Sequence, residues 1–204
     1  MPGTSRTLEF EWNPPATGHY CLLARWESTA DPMRMPEGPI IATNVRNENN
    51  IVWRNLTVIG LLTAMPMSSE FRLARSWGFG EAATLAIRPT RGERDARFLR
   101  GGTITLHPDS TLLAFWRRQP RLPAAFRLAA DSVIVVDPNG GELPLPGEER
   151  WSSSPMRVTF ARRPDARLPR ARFQFDFVVL ARAGSARHAA GGVSYDIVTD
   201  DSMR

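Results

Sequence analysis

With 204 residues, 42% of them apolar and 23% charged, the chain has the composition of one large or two small globular domains and is too apolar for a disordered tail. Its longest stretch free of charge, 55–69, contains Pro66 and falls short of the roughly 18 apolar residues a membrane helix needs, so no membrane span is expected. All 26 basic residues are Arg, set against 21 Asp and Glu, but they are interspersed: 12 Arg face 10 acids in residues 1–100 and 14 face 11 in 101–204. Neither half forms the basic face of a nucleic-acid binder, and nucleic acid is not an expected partner.

Arg6, Glu9 and Glu11 stand where a secretory signal would carry its apolar core, so no export address is expected in residues 1–12. The next lines of the chain read as strands. Leu8, Phe10 and Trp12 alternate with Glu9 and Glu11, a period of two that separates an apolar from a charged face, and Pro14 and Pro15 end the run. A second strand is expected over 19–26 and a third over 50–62, separated by a Pro- and Asn-rich loop, 28–49, longer than most connections in compact domains. After Pro66 the pattern resumes: 71–77 and 83–87 read as a hairpin around Gly78 and Gly80, and 103–106 and 111–116 as another around Pro108 and Asp109. Strands follow at 132–136, closed by the turn sequence Asp137-Pro138-Asn139-Gly140-Gly141, and at 156–160, 173–180 and 193–198. The best helical candidates, 91–99 and 123–130, are short. Short strands punctuated by Gly and Pro, without helix-length amphipathic segments between them, predict an all-β antiparallel sandwich. A boundary at 63–70 divides it into two modules, 1–66 and 67–204, of which the first has too few strands to close a sandwich.

The segments Phe10-Glu11-Trp12-Asn13-Pro14-Pro15, Gly18-His19-Tyr20-Cys21-Leu22-Leu23-Ala24-Arg25 and Asn49-Asn50-Ile51-Val52-Trp53-Arg54-Asn55-Leu56-Thr57-Val58 resemble the last three strands of immunoglobulin-like modules of the CARDB type, and Gly191–Ile197 is similar to the closing strand of a second such sandwich. The resemblance implies an immunoglobulin-like fold, an extracellular or cell-surface setting in bacteria and a module rather than an activity. It departs from the pattern at the tyrosine corner, where His19 stands two residues before the cysteine and Tyr20 is adjacent. The missing early strands leave the edge at Leu8–Trp12 open for pairing, which makes donated-strand assembly an expectation.

No nucleophile–base motif appears in the sequence. Cys21 is the one cysteine, which excludes an internal disulfide and a four-Cys zinc site; it shares a strand face with His19 without a third, orienting group, and reads as a buried small hydrophobe at a strand centre. His107 before Pro108 and His188 in an Ala- and Gly-rich stretch read as solvent-exposed. The 44–50 loop carries oxygen ligands of the kind calcium takes, but with one Glu it reads as an Asn-rich turn capped by its own side chains. Asp196, Asp200 and Asp201 read as a solvated tail. No catalytic residue, cofactor or metal is assigned. The expected function is that of a non-catalytic interaction protein that binds a protein partner, or itself, through sheet edges and the long loop, with Leu8, Phe10, Trp12, Trp26, Trp53, Arg117 and Arg118 as contact residues. The alternative is a carbohydrate- or ligand-binding module, which would show Trp26 and Trp53 exposed on one surface.

Overall fold

The structure, a computed structural model, describes residues 12–47, 50–63, 65–74, 82–147, 151–183 and 185–199. Its strands in chain order are β1 (Gly18–Arg25), β2 (Ile51–Gly60), β3 (Met67–Ala74), β4 (Ala83–Pro89), β5 (Gly102–Pro108), β6 (Phe126–Leu128), β7 (Val133–Val135), β8 (Gly141–Leu145), β9 (Ser153–Arg162), β10 (Arg172–Ala183) and β11 (Ala186–Val198). Four short helices interrupt them: α1 (Ile41–Asn47), α2 (Glu93–Ala96), α3 (Phe98–Gly101) and α4 (Ser110–Arg118). The strands form a six-stranded sheet in the order β1-β2-β11-β10-β4-β8 and a five-stranded sheet in the order β3-β9-β5-β7-β6. The fold is an all-β sandwich of two sheets, as the strand periodicity predicts.

Pairing is antiparallel everywhere except between β2 and β11, which run parallel from Asn55 opposite Val193 to Gly60 opposite Val198. The division expected at 66/67 falls where the chain crosses from β2 in one sheet to β3 in the other, and the strands on its two sides are hydrogen-bonded to each other through this parallel ladder.

Alternation builds the core. Phe173, Phe175, Phe177 and Val179 of β10 point inward, as do Val193, Tyr195 and Ile197 of β11, while Gln174, Asp176 and Ser194 point out. Phe98, from α3, lies 5.6 Å from Phe173, 5.9 Å from Phe175 and 6.5 Å from Phe160, all tilted or edge-on, the arrangement aromatic quadrupoles favour. Burying each of these rings contributes about 1.5–3 kcal/mol. Tyr195 is fully buried between Phe160 and Phe177, and burial pushes its hydroxyl up to about 12; Ser69 is near enough to oppose that rise, yet no hydrogen bond of acceptable geometry reaches the phenol.

Several local expectations change. Residues 111–116 are not a strand but most of α4, because the Asp109 side chain caps it, accepting from the Leu112 amide at 2.8 Å, and Leu112, Leu113 and Trp116 then fall on one buried face. Residues 123–130 form a turn followed by β6, while the 91–99 candidate is occupied by α2 and the start of α3. The 71–77 and 83–87 segments do not pair: β3 and β4 lie in opposite sheets. The long loop contains α1. The turn at 137–140 is as predicted, with the Gly140 amide on the Asp137 carbonyl at 2.9 Å and the Asn139 amide on the Asp137 side chain at 2.8 Å.

Candidate interaction surface

The two sheets differ by one strand, and the excess lies at the β1–β2 hairpin. β1 is the edge of the six-stranded sheet and β3 the edge of the five-stranded one. In register, His19, Cys21 and Leu23 of β1 stand opposite Thr57, Asn55 and residue 53 of β2, on the face that carries Val193, Tyr195 and Ile197 into the core. That inner face runs beyond the opposing sheet: His19 and Cys21 are exposed and Leu23 is 49% exposed. The expectation of a buried Cys21 therefore fails, for the physical reason that no strand among the described residues covers β1 from across the sandwich. Its thiol lies 3.5 Å from the Asn55 Oδ1 and 3.9 Å from the His19 Nε2, and the His19 Nδ1 is 3.1 Å from the Thr57 hydroxyl.

Toward its Gly18 end the outer face of the hairpin is packed. Tyr20 and Leu22 pack with Leu56, Val58 and Val198 in a second apolar cluster. The segment before β1 straps it: Trp12 meets Tyr20 edge-on at 5.1 Å, Tyr20 donates its hydroxyl to the Ala16 carbonyl at 2.8 Å, and Arg172 donates to the Asn13 side chain at 2.8 Å. The tyrosine thus makes a corner bond four residues upstream although its spacing from Cys21 departs from the expected one. Beside this strap the outer face is charged and internally paired. Arg54 bonds Ser194 at 2.7 Å and pairs with Asp176, and Arg172 pairs with Asp196. Asp196 is 4% exposed, a buried ion-pair partner rather than part of a solvated tail, while Asp200 and Asp201 lie outside the described residues. Further along, burial raises the Glu142 carboxyl, but Arg187, Thr84 and Arg88 together outweigh it and hold the group below its usual value.

Exposed apolar side chains gather toward the far end of the hairpin, where Trp26 is 59%, Val52 61% and Ile40 62% exposed. The loop between them is held by its own side chains: Asn44 both accepts from the Gly38 amide and donates to its carbonyl at 2.9 Å, and Asn50 donates to Asp31 at 2.8 Å. Asn44 thus spends both side-chain groups on backbone, but it lies in α1 rather than in the turn expected over 44–50. Between the inner face of the hairpin and β3 lies a groove of about 430 Å³, walled by Phe71 and Leu73 on one side and Phe177, Val179 and Val193 on the other, with His19 and Asn55 at its mouth.

Leu8 and Phe10 lie outside the described residues, as does the side chain of Trp53; Trp12 is half exposed in the strap rather than in a strand. Arg117 and Arg118 sit in the last turn of α4, where cations favour the helix dipole, and Arg117 bonds the Ala130 carbonyl. Other arginines of the chain are clamps: Arg162 donates to the Leu61 carbonyl at 2.6 and 3.1 Å. His107 is not in a turn but in β5 opposite Arg157, half-buried, and desolvation followed by the Arg157 charge lowers its pKa against a weaker pull from Asp131. His188 is exposed. Among the described residues, no three His, Cys, Asp or Glu side chains converge as a metal would need, and no helix is long and apolar enough to cross a membrane.

No protein-family model matches the chain, and none of the curated proteins does. Among solved structures it is similar to the collagen-binding subdomain of the Enterococcus faecalis surface protein ACE, at 11% identity over 70% of this chain and 94% of that one, with a TM-score of 0.34. It is similar to the collagen adhesin of S. aureus at 8% identity over 73% of this chain and 55% of that one, TM-score 0.37, and to the CooA pilin subunit of enterotoxigenic Escherichia coli at 5% identity over 72% and 91%, TM-score 0.28.

Proposed function

We propose that this chain is a non-catalytic interaction module of a bacterial surface or extracellular assembly, binding a protein partner through the overhanging β1–β2 hairpin. One observation carries the reading: the hairpin presents its core-side face uncovered and ends in Trp26, Ile40 and Val52, each more than half exposed. Several large apolar side chains left exposed on one hairpin and its loop favour contact with a partner. Backbone groups on the free side of β1 add a template for strand pairing, which supplies affinity, while alternate side chains supply selectivity. Within the immunoglobulin-like class, the CARDB type suits the three segments around Trp12, Cys21 and Asn55, and a surface location follows from that type.

The test is site-specific photocrosslinking in the native host, with the photoreactive residue at Leu23, Trp26 or Val52 and a control at Asn139 on the remote turn. Protein adducts at the hairpin positions and none at Asn139 are expected; equal labelling at all four, or none, overturns the reading. The alternative, a carbohydrate-binding module, draws on the open ring of Trp26. A polysaccharide that quenches tryptophan fluorescence in the wild type but not in Trp26→Ala would favour it over the protein partner.

A further inference from the structure

The groove between β3 and the hairpin has the form of a missing strand. One wall is the edge of the five-stranded sheet, Glu70–Ala74, and the floor is the inner face of the longer sheet. A strand laid beside β3 would take up the free backbone groups of that edge and would cover His19 and Asn55, bringing the two sheets to equal width. Its inward residues would meet Phe71, Phe177 and Val193, so they must be apolar. Its outward residues would run beside Glu70 and Arg72 of β3, with Arg157 one strand further on, all exposed, so charged residues suit them.

Residues 8–11, Leu-Glu-Phe-Glu, have this pattern. Their own chain cannot place all four of them there. Trp12 is held on the outer face by Tyr20, and Asn13 by Arg172, whereas the groove opens on the inner face. The sheets of a sandwich lie about 10 Å apart, and one or two extended residues reach only about 3–7 Å, so Glu11 and Phe10 fall short of the place beside β3. We infer that the groove is filled by residues 8–11 of a second copy of this chain, a step that rests on the interaction-module reading above and names its partner. Donor and acceptor are different surfaces, so the contact is head-to-tail and repeats: each copy gives a strand to the next and receives one from the last.

Full-length chain in light scattering over a concentration series tests this, with two double variants at exposed positions or outside the described residues. Leu8→Glu/Phe10→Glu removes the donor and leaves the groove; His19→Glu/Ala74→Glu sets one carboxylate on the groove floor, under the donor's apolar residues, and one beside its outward acids, and leaves the donor. The wild type is expected to grow past two chains as concentration rises, each variant alone to stay monomeric with unchanged near-ultraviolet circular dichroism, and an equimolar mixture to stop at a dimer, because it holds one good donor and one good groove. A wild type that stays monomeric, a donor variant that assembles like the wild type, or a mixture that does not pair each overturns the inference. Hairpin crosslinks to a different protein in a chain that remains monomeric would defeat the second copy while leaving the interaction reading intact; absence of both defeats both.

Discussion

Gly92 and Gly140 offer the same substitution in two surroundings. Both hold positive φ, 54° and 76°, where an L side chain is strained by about 1–2 kcal/mol, partly offset by the 0.4–1 kcal/mol that Ala gains by restricting the unfolded chain. A Cβ on Gly92 meets nothing within 4 Å, so Gly92→Ala is expected to cost about 1 kcal/mol. A Cβ on Gly140 lands 1.8 Å from the Ile87 carbonyl oxygen and 2.8 Å from its carbon. That neighbour is backbone of β4, locked between β10 and β8, and cannot swing aside as a side chain would. Overpacking against it adds about 1–3 kcal/mol or more, so Gly140→Ala is expected to cost roughly 2–5 kcal/mol. Urea denaturation followed by tryptophan fluorescence measures both, provided the m-value is unchanged. At about 2–4 °C per kcal/mol for a chain of this size, the melting temperatures should separate by several degrees. If the two variants agree within about 0.5 kcal/mol, the error of such differences, the close approach of the 137–140 turn to β4 is wrong.

Three further outcomes follow from single groups. Asp109→Ala should lose about 1 kcal/mol by uncapping α4, with Asp109→Asn retaining most of it; equal losses in denaturant would refute the cap. The phenol of Tyr195 is raised toward 12 in the folded state, above its unfolded value near 10, so its contribution is complete below pH 10 and is lost between about 10 and 12. Absorbance titration of Tyr20→Phe at alkaline pH should show Tyr195 ionising only near 12 or with unfolding, and its ionisation near 10 in folded protein would contradict its burial. His107 has a folded-state pKa below its unfolded value, so it holds its proton less tightly in the fold than in the unfolded chain; stability should fall as pH drops through about 6.5, and His107→Gln should lessen that fall in denaturation curves at pH 7.5 and 5.5.

What the sequence reveals divides by range. The inward phenylalanines of β10 and the 137–140 turn are legible because period and turn chemistry are local properties. The segment 111–116 is too short for its period to distinguish strand from helix; Asp109, three residues before Leu112, was the available signal of a cap. No local feature announces that β3 and β4 part into opposite sheets or that β2 pairs parallel to β11, since both depend on contacts distant in the chain. The candidate surface suffers most from this. Cys21 sits in a strand, as its neighbours imply, but its exposure depends on what lies across the sandwich, and the groove exists only because two sheets built from separate segments end at different places. Trp26 could equally have been core on composition alone.

The parallel ladder between β2 and β11 also sets how the domain answers tension. Gly18 stands beside Val58, and Val58 beside Asp196, so the start of β1 and the end of β11 emerge at the same end of the sheet. A pull between them first peels β1 from β2 one bond at a time, a low-force event. Once β1 has gone, the load enters β2 at Ile51 and leaves β11 at Val198, from opposite ends of a ladder running from Asn55 to Gly60, and all its bonds must slide together. The hairpin then behaves as a yielding leader and the ladder as a shear clamp, so that β1 can give way while the aromatic core stays shut.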